Sequence, residues 1–375
     1  MSRGAELGSA VDLLTLADVD ELLSIRGVRA PFLRVAKAGR TLPDARFTRG
    51  GGVGAGVADQ LDDAALARLY AAGHTLVLQG LHRVHPPVIE FAQQLALDLG
   101  HPVQVNAYVT PRQAQGFAHH YDVHDVFVMQ TAGQKRWLIH PPVHVHPLRD
   151  QPWTDRRAEV EAATSAPDAE PLLDVVLQPG DVLYLPAGFL HAAQALGETS
   201  AHLTVGVHVW NRAHLVEQIV RQLAEVEELR APLPLGVDVT DPAVIGAELA
   251  GLMPRLIAAL DGVDASLAAD RLAMTARAST RPEPVAPLAQ TRLLDVLDDA
   301  TPLRLRRNLT ARLAATPDGG TVLRTADGDH SVPADVASVV LRLLDGATVT
   351  AGELGPELAA AWVQAAVLLA GQDRA

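Results

Sequence analysis

Two histidines and one aspartate stand at spacings that could hold a metal ion. His120 and Asp122 lie two residues apart, and residues i and i+2 of a strand project from the same face. His191 is the best candidate for a third ligand, because it follows a strand and a Pro-Ala-Gly bend that could carry its side chain into a barrel. Two imidazoles and a carboxylate suit Fe(II), Mn(II) or Zn(II). Three such ligands leave the remaining coordination positions of the metal open for a co-substrate.

The spacing alone is a weak signal, because fifteen histidines produce such pairs readily. The alternative is that these histidines are surface or packing residues. His119 and His124 flank the motif and complicate the ligand assignment, although we expect each of them to be a neighbouring or surface histidine rather than a ligand.

Lys135 strengthens the metal hypothesis. We expect the strand DVFVMQ to end in a turn, TAGQ, and a second strand to run back beside the first, with Lys135 at its start and Trp137 on the same face. A barrel-facing ammonium near a metal is costly unless an anion pairs with it, and its compact charge suits the distal carboxylate of an oxo-acid. Taken alone, Lys135 is equally compatible with a solvated lysine beside a turn.

A β-rich segment must position these residues. From Val103 to Val209 the hydrophobic pattern has period two, with Gly and Pro turns between short runs, which is typical of a β-sandwich or barrel. The expected strands are residues 103–109, 125–130, 136–139, 174–178, 181–186 and 202–210, and residues 140–171 are expected to form an irregular loop.

The flanking segments have helical spacing. Before the β-rich segment we predict helices over 10–26, 62–72 and 87–99, and a strand over 75–79. After it we predict helices over 213–229, 244–260 and 265–277. The prolines of STRPEPVAP (279–287) mark a linker. Beyond the linker we expect a small α/β unit with a hairpin around Ala-Asp-Gly-Asp.

Composition narrows the function classes. The 375 residues carry a formal charge of −13 and no cysteine, so disulfides and thiolate chemistry are excluded and a phosphate backbone would be repelled. Neither a signal peptide nor a run of 18 apolar residues is apparent. We therefore expect a cytoplasmic protein, no membrane partner and no direct nucleic-acid binding, with the basic cluster RLRR (304–307) as a solvated face.

Three segments together resemble a known family. They are NAYVTPRQAQGFAHHYDVHDVFVMQTAGQKRWLIHPP, QPGDVLYLPAGFLH and AHLTVGVHVW, and they are similar to the JmjC-type cupins of the bacterial ribosomal oxygenase group. The resemblance is specific from about residue 12 to 212, and looser beyond. It implies an Fe(II)- and 2-oxoglutarate-dependent oxygenase that hydroxylates an arginine or histidine side chain of a ribosomal protein.

The resemblance also assigns site residues. It implies His120, Asp122 and His191 as iron ligands, with no catalytic residue beyond the metal centre. It implies Lys135 as the partner of the 2-oxoglutarate C5 carboxylate, and Asn106, Tyr108 and Thr204 as residues that line the co-substrate pocket.

The implied architecture is an α+β fold with three parts. A double-stranded β-helix (the cupin or JmjC jelly-roll barrel) occupies residues 1–212, a helical dimerisation region residues 213–278, and a winged-helix-like domain residues 288–375. The expected partners are a protein substrate and a second copy of the chain.

Two other functions compete with the oxygenase. One is a cupin that keeps its metal as a structural or sensing element and acts as a binding or regulatory protein without turnover. The other is a metal-dependent hydrolase or isomerase, since cupins host many reactions; it is disfavoured because the sequence offers no obvious general base beside the triad.

Overall fold

The computed structural model describes residues 1–4, 11–37, 39–112, 114, 118–166 and 169–371. The chain divides into two compact units, Met1–Val209 and Trp210–Ala375. Residue 10 of the first expected helix, and residues 113, 115, 116 and 117 of the quoted motif, lie outside the described residues.

The first unit holds the β-rich segment and its flanking helices. Its helices are α1 (Leu16–Ser24), α2 (Asp63–Ala71), α3 (Leu81–Val84), α4 (Pro86–Leu99) and α5 (Arg157–Ser165). Its strands are β1 (Leu33–Lys37), β2 (Arg40–Thr41), β3 (Thr48–Arg49), β4 (Gln60–Leu61), β5 (Thr75–Leu78), β6 (Val103–Thr110), β7 (Asp125–His140), β8 (Leu173–Leu177), β9 (Val182–Leu185) and β10 (Leu190–Val207).

One antiparallel sheet organises this unit. Its strand order is β2-β1-β5-β6-β10-β7-β8, and β9 also pairs with β7. One apolar core packs α1, α2 and α4 against β1, β5, β6 and β10, and a second fills the space among β7, β8 and β9. The period-two pattern of residues 103–209 is explained by this arrangement, because alternate side chains of each strand enter a core.

The expected turn at TAGQ is wrong, and the two strands predicted around it are one. β7 runs unbroken over Asp125–His140 and pairs along its length with β10, apart from an irregularity at residues 196–201. Gly133 has a φ of 59°, and a Cβ there would collide with the backbone carbonyl of Thr199. The glycine therefore lets the strand bend sharply without leaving the sheet.

The second unit contains the expected helices and a small α/β part. Its helices are α6 (Arg212–Leu223), α7 (Glu227–Arg230), α8 (Pro242–Leu260), α9 (Ala265–Ser279), α10 (Pro287–Asp295), α11 (Ala337–Leu344), α12 (Ala351–Leu354) and α13 (Pro356–Gln364). Its strands are β11 (Pro302–Leu305), β12 (Arg312–Ala315), β13 (Thr321–Arg324), β14 (Asp329–Ser331), β15 (Thr348–Thr350) and β16 (Leu368–Ala370).

The proline-rich segment and the hairpin lie where they were expected. Residues 280–286 contain neither helix nor strand, and β13 pairs antiparallel with β14 around the Ala-Asp-Gly-Asp turn. The RLRR cluster, in contrast, is not a solvated face. Arg304 has a side chain only 15% exposed and forms a two-pronged ion pair with Glu283 of the linker, and the Arg306 Nε donates to the Glu283 carbonyl.

α8 has an unusual composition for an exposed helix. Within the described residues it is the one helix long and apolar enough to cross a membrane by length and composition, and none of its apolar window is buried. It also carries Glu248, Arg255 and the internal Pro254. Length and composition alone do not assign a helix to a membrane, because helices at protein interfaces share them.

We predict that Gly133→Ala destabilises the fold more than Gly197→Ala. Both glycines have positive φ, but a Cβ at residue 197 meets open space. The backbone term costs about 1 kcal/mol at either position, and the collision with Thr199 adds about 2 kcal/mol at residue 133. Urea unfolding followed by circular dichroism measures both changes, and equal losses would contradict a close strand crossing at Gly133.

Candidate metal centre

His120, Asp122 and His191 converge on one point of the first unit. One ligand atom from each lies within 4.8 Å of the other two. The Nε2 of His191 is 3.7 Å from the Asp122 carboxylate, and the two imidazole centroids are 4.3 Å apart. This spacing fits three donors around a single ion, so the chemistry of the donor set and its geometry agree.

Backbone pairing brings the two histidines together. The His191 N–H donates to the His120 carbonyl at 2.8 Å, and the His120 N–H donates to the His191 carbonyl at 3.2 Å. The Gly188 N–H donates to the Asp122 carbonyl at 3.0 Å. The expected strand through residues 120–122 is therefore a single bridge, yet Tyr121 still points away from the ligands, buried, with its hydroxyl donating to the Gln151 carbonyl.

Hydrogen bonds fix the orientation of both imidazoles. The Nδ1 of His120 lies 2.8 Å from the Ala118 carbonyl, and the Nδ1 of His191 lies 3.1 Å from the Phe189 carbonyl. A carbonyl only accepts, so each Nδ1 carries the proton and each Nε2 presents a lone pair. Neutral imidazoles held in this tautomer are the form that binds metals.

The electrostatic environment favours the protonation states in which the three groups can bind a cation. Burial lowers the pKa of His191 to about 4, assisted by the neighbouring His120, so His191 is neutral at physiological pH. Burial acts to raise the pKa of Asp122, but electrostatic interactions with His191, His120 and other basic neighbours outweigh it, and the net shift is downward. Asp122 is therefore ionised, as a ligand must be.

The two flanking histidines point elsewhere. The ring of His119 packs edge-on against His140, with centroids 5.2 Å apart. The ring of His124 stacks on His208 at 5.0 Å, in a space that exists because Gly206 has no side chain. Neither belongs to the cluster of ligand atoms found within the described residues.

Lys135 lies buried in the cavity that the triad lines. Its side chain is 3% exposed, and its Nζ donates to Thr110 Oγ1 at 3.1 Å and approaches His202 Nδ1 at 3.5 Å. Among the residues that the structure describes, no carboxylate forms an ion pair with it. Burial lowers the pKa of this amine to about 7. The cavity thus holds a basic group with neutral partners only.

Tyr108 and Thr204 line the same cavity, and Asn106 does not. Tyr108 stacks on His202 with ring centroids 5.1 Å apart and an interplanar angle of 5°. The amide oxygen of Asn106 accepts the Gly80 N–H at 3.0 Å, and Asn106 is absent from the described cavity lining. Of the four co-substrate positions, three thus meet in one cavity, while Asn106 serves a neighbouring loop.

Two residues that contact Lys135 escaped the sequence analysis. His202 touches both Lys135 and Tyr108, and Thr110 accepts from Lys135. Alternation could have found them, because His202 lies two residues before Thr204 and Thr110 two residues after Tyr108. Trp137 adds a buried indole N–H that has no hydrogen-bond partner. An orphaned donor and an uncompensated amine fit a bound oxyanion.

The fold and the site agree with a known domain. Residues 84–215 match the JmjC domain family, and this part of the chain is a JmjC domain. The whole chain has the fold of a solved structure of E. coli ycfD, with a TM-score of 0.51 over 96% of this chain and 91% of that one, at 16% identity.

Relatives of known name are ribosomal oxygenases and hydroxylases. The chain is 33% identical over 208 residues to human "Ribosomal oxygenase 1", and 31% identical over 204 residues to the Drosophila persimilis "Bifunctional lysine-specific demethylase and histidyl-hydroxylase NO66". These matches cover 53% and 49% of this chain, but only 29% and 28% of the relatives. The chain therefore spans less than a third of the length of either.

We predict that His191→Ala abolishes tight metal binding and that His124→Ala does not. Loss of one of three donors should weaken Co(II) binding by at least about 100-fold, whereas a histidine outside the donor set should change it by no more than about tenfold. Calorimetric titration with Co(II) at neutral pH measures both. A larger effect at His124 than at His191 would show that the ligand set has been assigned wrongly.

Proposed function

We propose that this protein is an Fe(II)- and 2-oxoglutarate-dependent oxygenase that hydroxylates a side chain of a protein substrate. His120, Asp122 and His191 would hold the iron, and Lys135 would pair with the C5 carboxylate of 2-oxoglutarate. Bound iron supplies the activation of dioxygen, which no amino-acid side chain can provide.

One observation carries this proposal. A buried amine and a three-donor cluster share one cavity, and the amine has only the neutral partners Thr110 and His202. An isolated buried ammonium is costly, whereas a carboxylate delivered to it would remove that cost. A ligand with a carboxylate at one end and a chelating group at the other would satisfy both features.

The remaining cavity residues form the wall of the site and exclude water from it. Trp137 and His202 pack edge to face with centroids 5.4 Å apart, and the aliphatic side chains of Val126, Val128 and Leu185 complete the wall. Burial, followed by the charge of Lys135, lowers the pKa of His202 well below its usual value. Neutral His202 accepts from Lys135 and so holds the amine in place for an incoming carboxylate.

We predict that 2-oxoglutarate binds more weakly as the pH rises above about 7. The lysine pKa is lowered by burial, so the empty site loses its ammonium proton above this pH, and binding must recapture that proton. The dissociation constant should rise by up to about tenfold per pH unit. Lys135→Arg stays charged, so its affinity should change little over the same range.

Turnover is the decisive measurement of the activity. Succinate release that requires both Fe(II) and 2-oxoglutarate, and that falls by at least about 100-fold in Lys135→Met, supports the oxygenase. Binding of metal and 2-oxoglutarate without any succinate would instead indicate a regulatory cupin. A dissociation constant for 2-oxoglutarate that is flat with pH in the wild type would contradict the role of Lys135.

A ribosomal protein is the proposed substrate class, and the cytoplasm the proposed location. The similarity to human "Ribosomal oxygenase 1" supports this substrate class. The formal charge of −13 is compatible with a basic protein target. Engagement of Arg304 and Arg306 by Glu283 supports the view that this unit does not bind nucleic acid directly.

The second unit is proposed to comprise a dimerisation region (213–278) and a winged-helix-like domain (288–375). The exposed apolar stripe of α8 supports the dimer: Leu249, Met253 and Ile257 recur every four residues and are 55%, 41% and 58% exposed. Such a stripe is expected at a self-complementary interface. In the C-terminal part, the small sheets β15-β11-β16 and β12-β13-β14 accompany α11–α13, an arrangement compatible with a winged helix.

We predict that the wild-type protein is a dimer and that Met253→Asp with Ile257→Asp makes it a monomer. Two carboxylates buried at an apolar interface would cost several kcal/mol, on the order of the association energy. Leu235→Asp is the matched control, since Leu235 is fully exposed outside any helix. Light scattering measures the mass, and a monomeric wild type would contradict the proposal.

A further inference from the structure

Arg34 lies on the same face of the sheet as Tyr108 of the cavity. On β1 it pairs with Val77 of β5, which pairs with Tyr108 of β6, which pairs with His202 of β10. Directly opposed residues of antiparallel strands share a face. Arg34 and Tyr108 are therefore on the cavity side of the sheet, two strands apart, a span that an arginine side chain can bridge over a valine.

The Arg34 side chain hydrogen-bonds Tyr108, and its charge acts on Asp122. Burial raises the pKa of the Tyr108 hydroxyl to about 12, while the Arg34 side chain opposes this rise through its charge and a hydrogen bond. The same charge helps to lower the pKa of Asp122. Arg34 is thus close enough to act on a metal ligand and on the cavity wall.

The charge of Arg34 has no carboxylate partner of its own. Within the described part of the chain no acidic group forms an ion pair with it, and its Nε is buried without a hydrogen-bond partner. Asp122 is the one acidic side chain among the described residues of the cavity lining. Once Asp122 serves a cation, no other acidic side chain of the described cavity lining is left to neutralise Arg34.

The charges can be counted for the site with a divalent ion and a dicarboxylate bound, called here the loaded site. A divalent ion and Lys135 together bring three positive charges, and Asp122 with a dicarboxylate brings three negative charges. The loaded centre is then neutral, and the arginine adds one positive charge beside it. A positively charged target side chain that approached Arg34 would be repelled. The repulsion is strong in a partly buried site, because Coulomb energies grow as the effective dielectric falls.

We propose that Arg34 is a specificity-determining residue that makes the site select an uncharged target side chain over a guanidinium or an ammonium. This inference rests on the proposed function and narrows its substrate to a neutral residue, such as an imidazole or an amide. Arg34 acts by charge, because a target side chain must approach the metal centre, and the charge of Arg34 already acts on the ligand Asp122.

The test has a cellular and an in vitro arm. Ribosomal proteins from gene-deleted cells, with and without the wild-type gene restored, are compared by mass spectrometry for a gain of one oxygen atom, and the modified residue is identified. Two synthetic peptides are then made around that residue, identical except that the target is either the natural residue or arginine. The ratio of their kcat/KM values is measured for wild type and variants.

The expected result has three parts. The modified residue is uncharged; Arg34→Gln lowers the preference for the uncharged peptide by about tenfold; and Arg34→Lys, which keeps the charge, retains most of it. Arg40→Gln, at an exposed arginine of β2, is the matched control and leaves the ratio unchanged. Co(II) and 2-oxoglutarate affinities in Arg34→Gln within about tenfold of the wild-type values show that the variant is folded and keeps its ligands, because the lost charge acts on Asp122 and Tyr108 without removing a donor.

Two results would overturn the inference alone: a modified arginine or lysine in wild-type cells, or a preference in Arg34→Gln equal to that of wild type. A loss of preference in Arg34→Lys as large as in Arg34→Gln would also overturn it, since charge would then not be the cause. Absence of any modified protein, together with absence of succinate release, would defeat the proposed function and this inference with it.

Discussion

The centre depends on a pair of backbone hydrogen bonds between His120 and His191. These residues are far apart in sequence, and reciprocal N–H to carbonyl bonds set their main chains side by side. The imidazoles then lie 4.3 Å apart by centroid, and Asp122 joins them from the same segment. Because backbone geometry rather than side-chain attraction brings the donors together, the site can form before any cation arrives to hold it.

The long strands supply the rigidity that this pairing needs. β7 and β10 pair along most of their length, so the segments at one end of that ladder, where His191 begins β10, are held in register. Asp125 holds the segment that leads into β10: its carboxylate accepts the Tyr184 hydroxyl at 2.6 Å and the Ala187 N–H at 2.9 Å. The loop that carries His191 is thus fixed on both sides of the metal ligands.

Two basic side chains act on the centre. Lys135 lies inside the cavity, where burial and neutral neighbours leave an amine in need of an anion. Arg34 acts from β1, through a hydrogen bond on Tyr108 and through its charge on Asp122. The two cations would serve different partners, a small dicarboxylate and a side chain of a larger substrate, which explains why one site would keep both.

The sequence by itself determined the residue types of the centre and the kind of fold around it. Period-two alternation located the β-rich segment, proline spacing located the linker, and the HxD pair with a distant histidine named the candidate ligands. These signals are local, since they depend on which side chains share a face or which residues cannot enter a helix. They were enough to predict a metal site on a β-sandwich or barrel, and the resemblance of three segments to the JmjC-type cupins supplied the class.

Only the tertiary structure decided which candidates meet. It merged two predicted strands into β7, because a glycine can bend a strand that a turn was expected to interrupt. In the tertiary structure the Asn106 amide accepts the Gly80 N–H, and Lys135 contacts His202 and Thr110. The Arg34 side chain hydrogen-bonds Tyr108, two strands away. Each of these contacts joins residues distant in sequence, and their distances follow from strand register and bending, which no local pattern encodes.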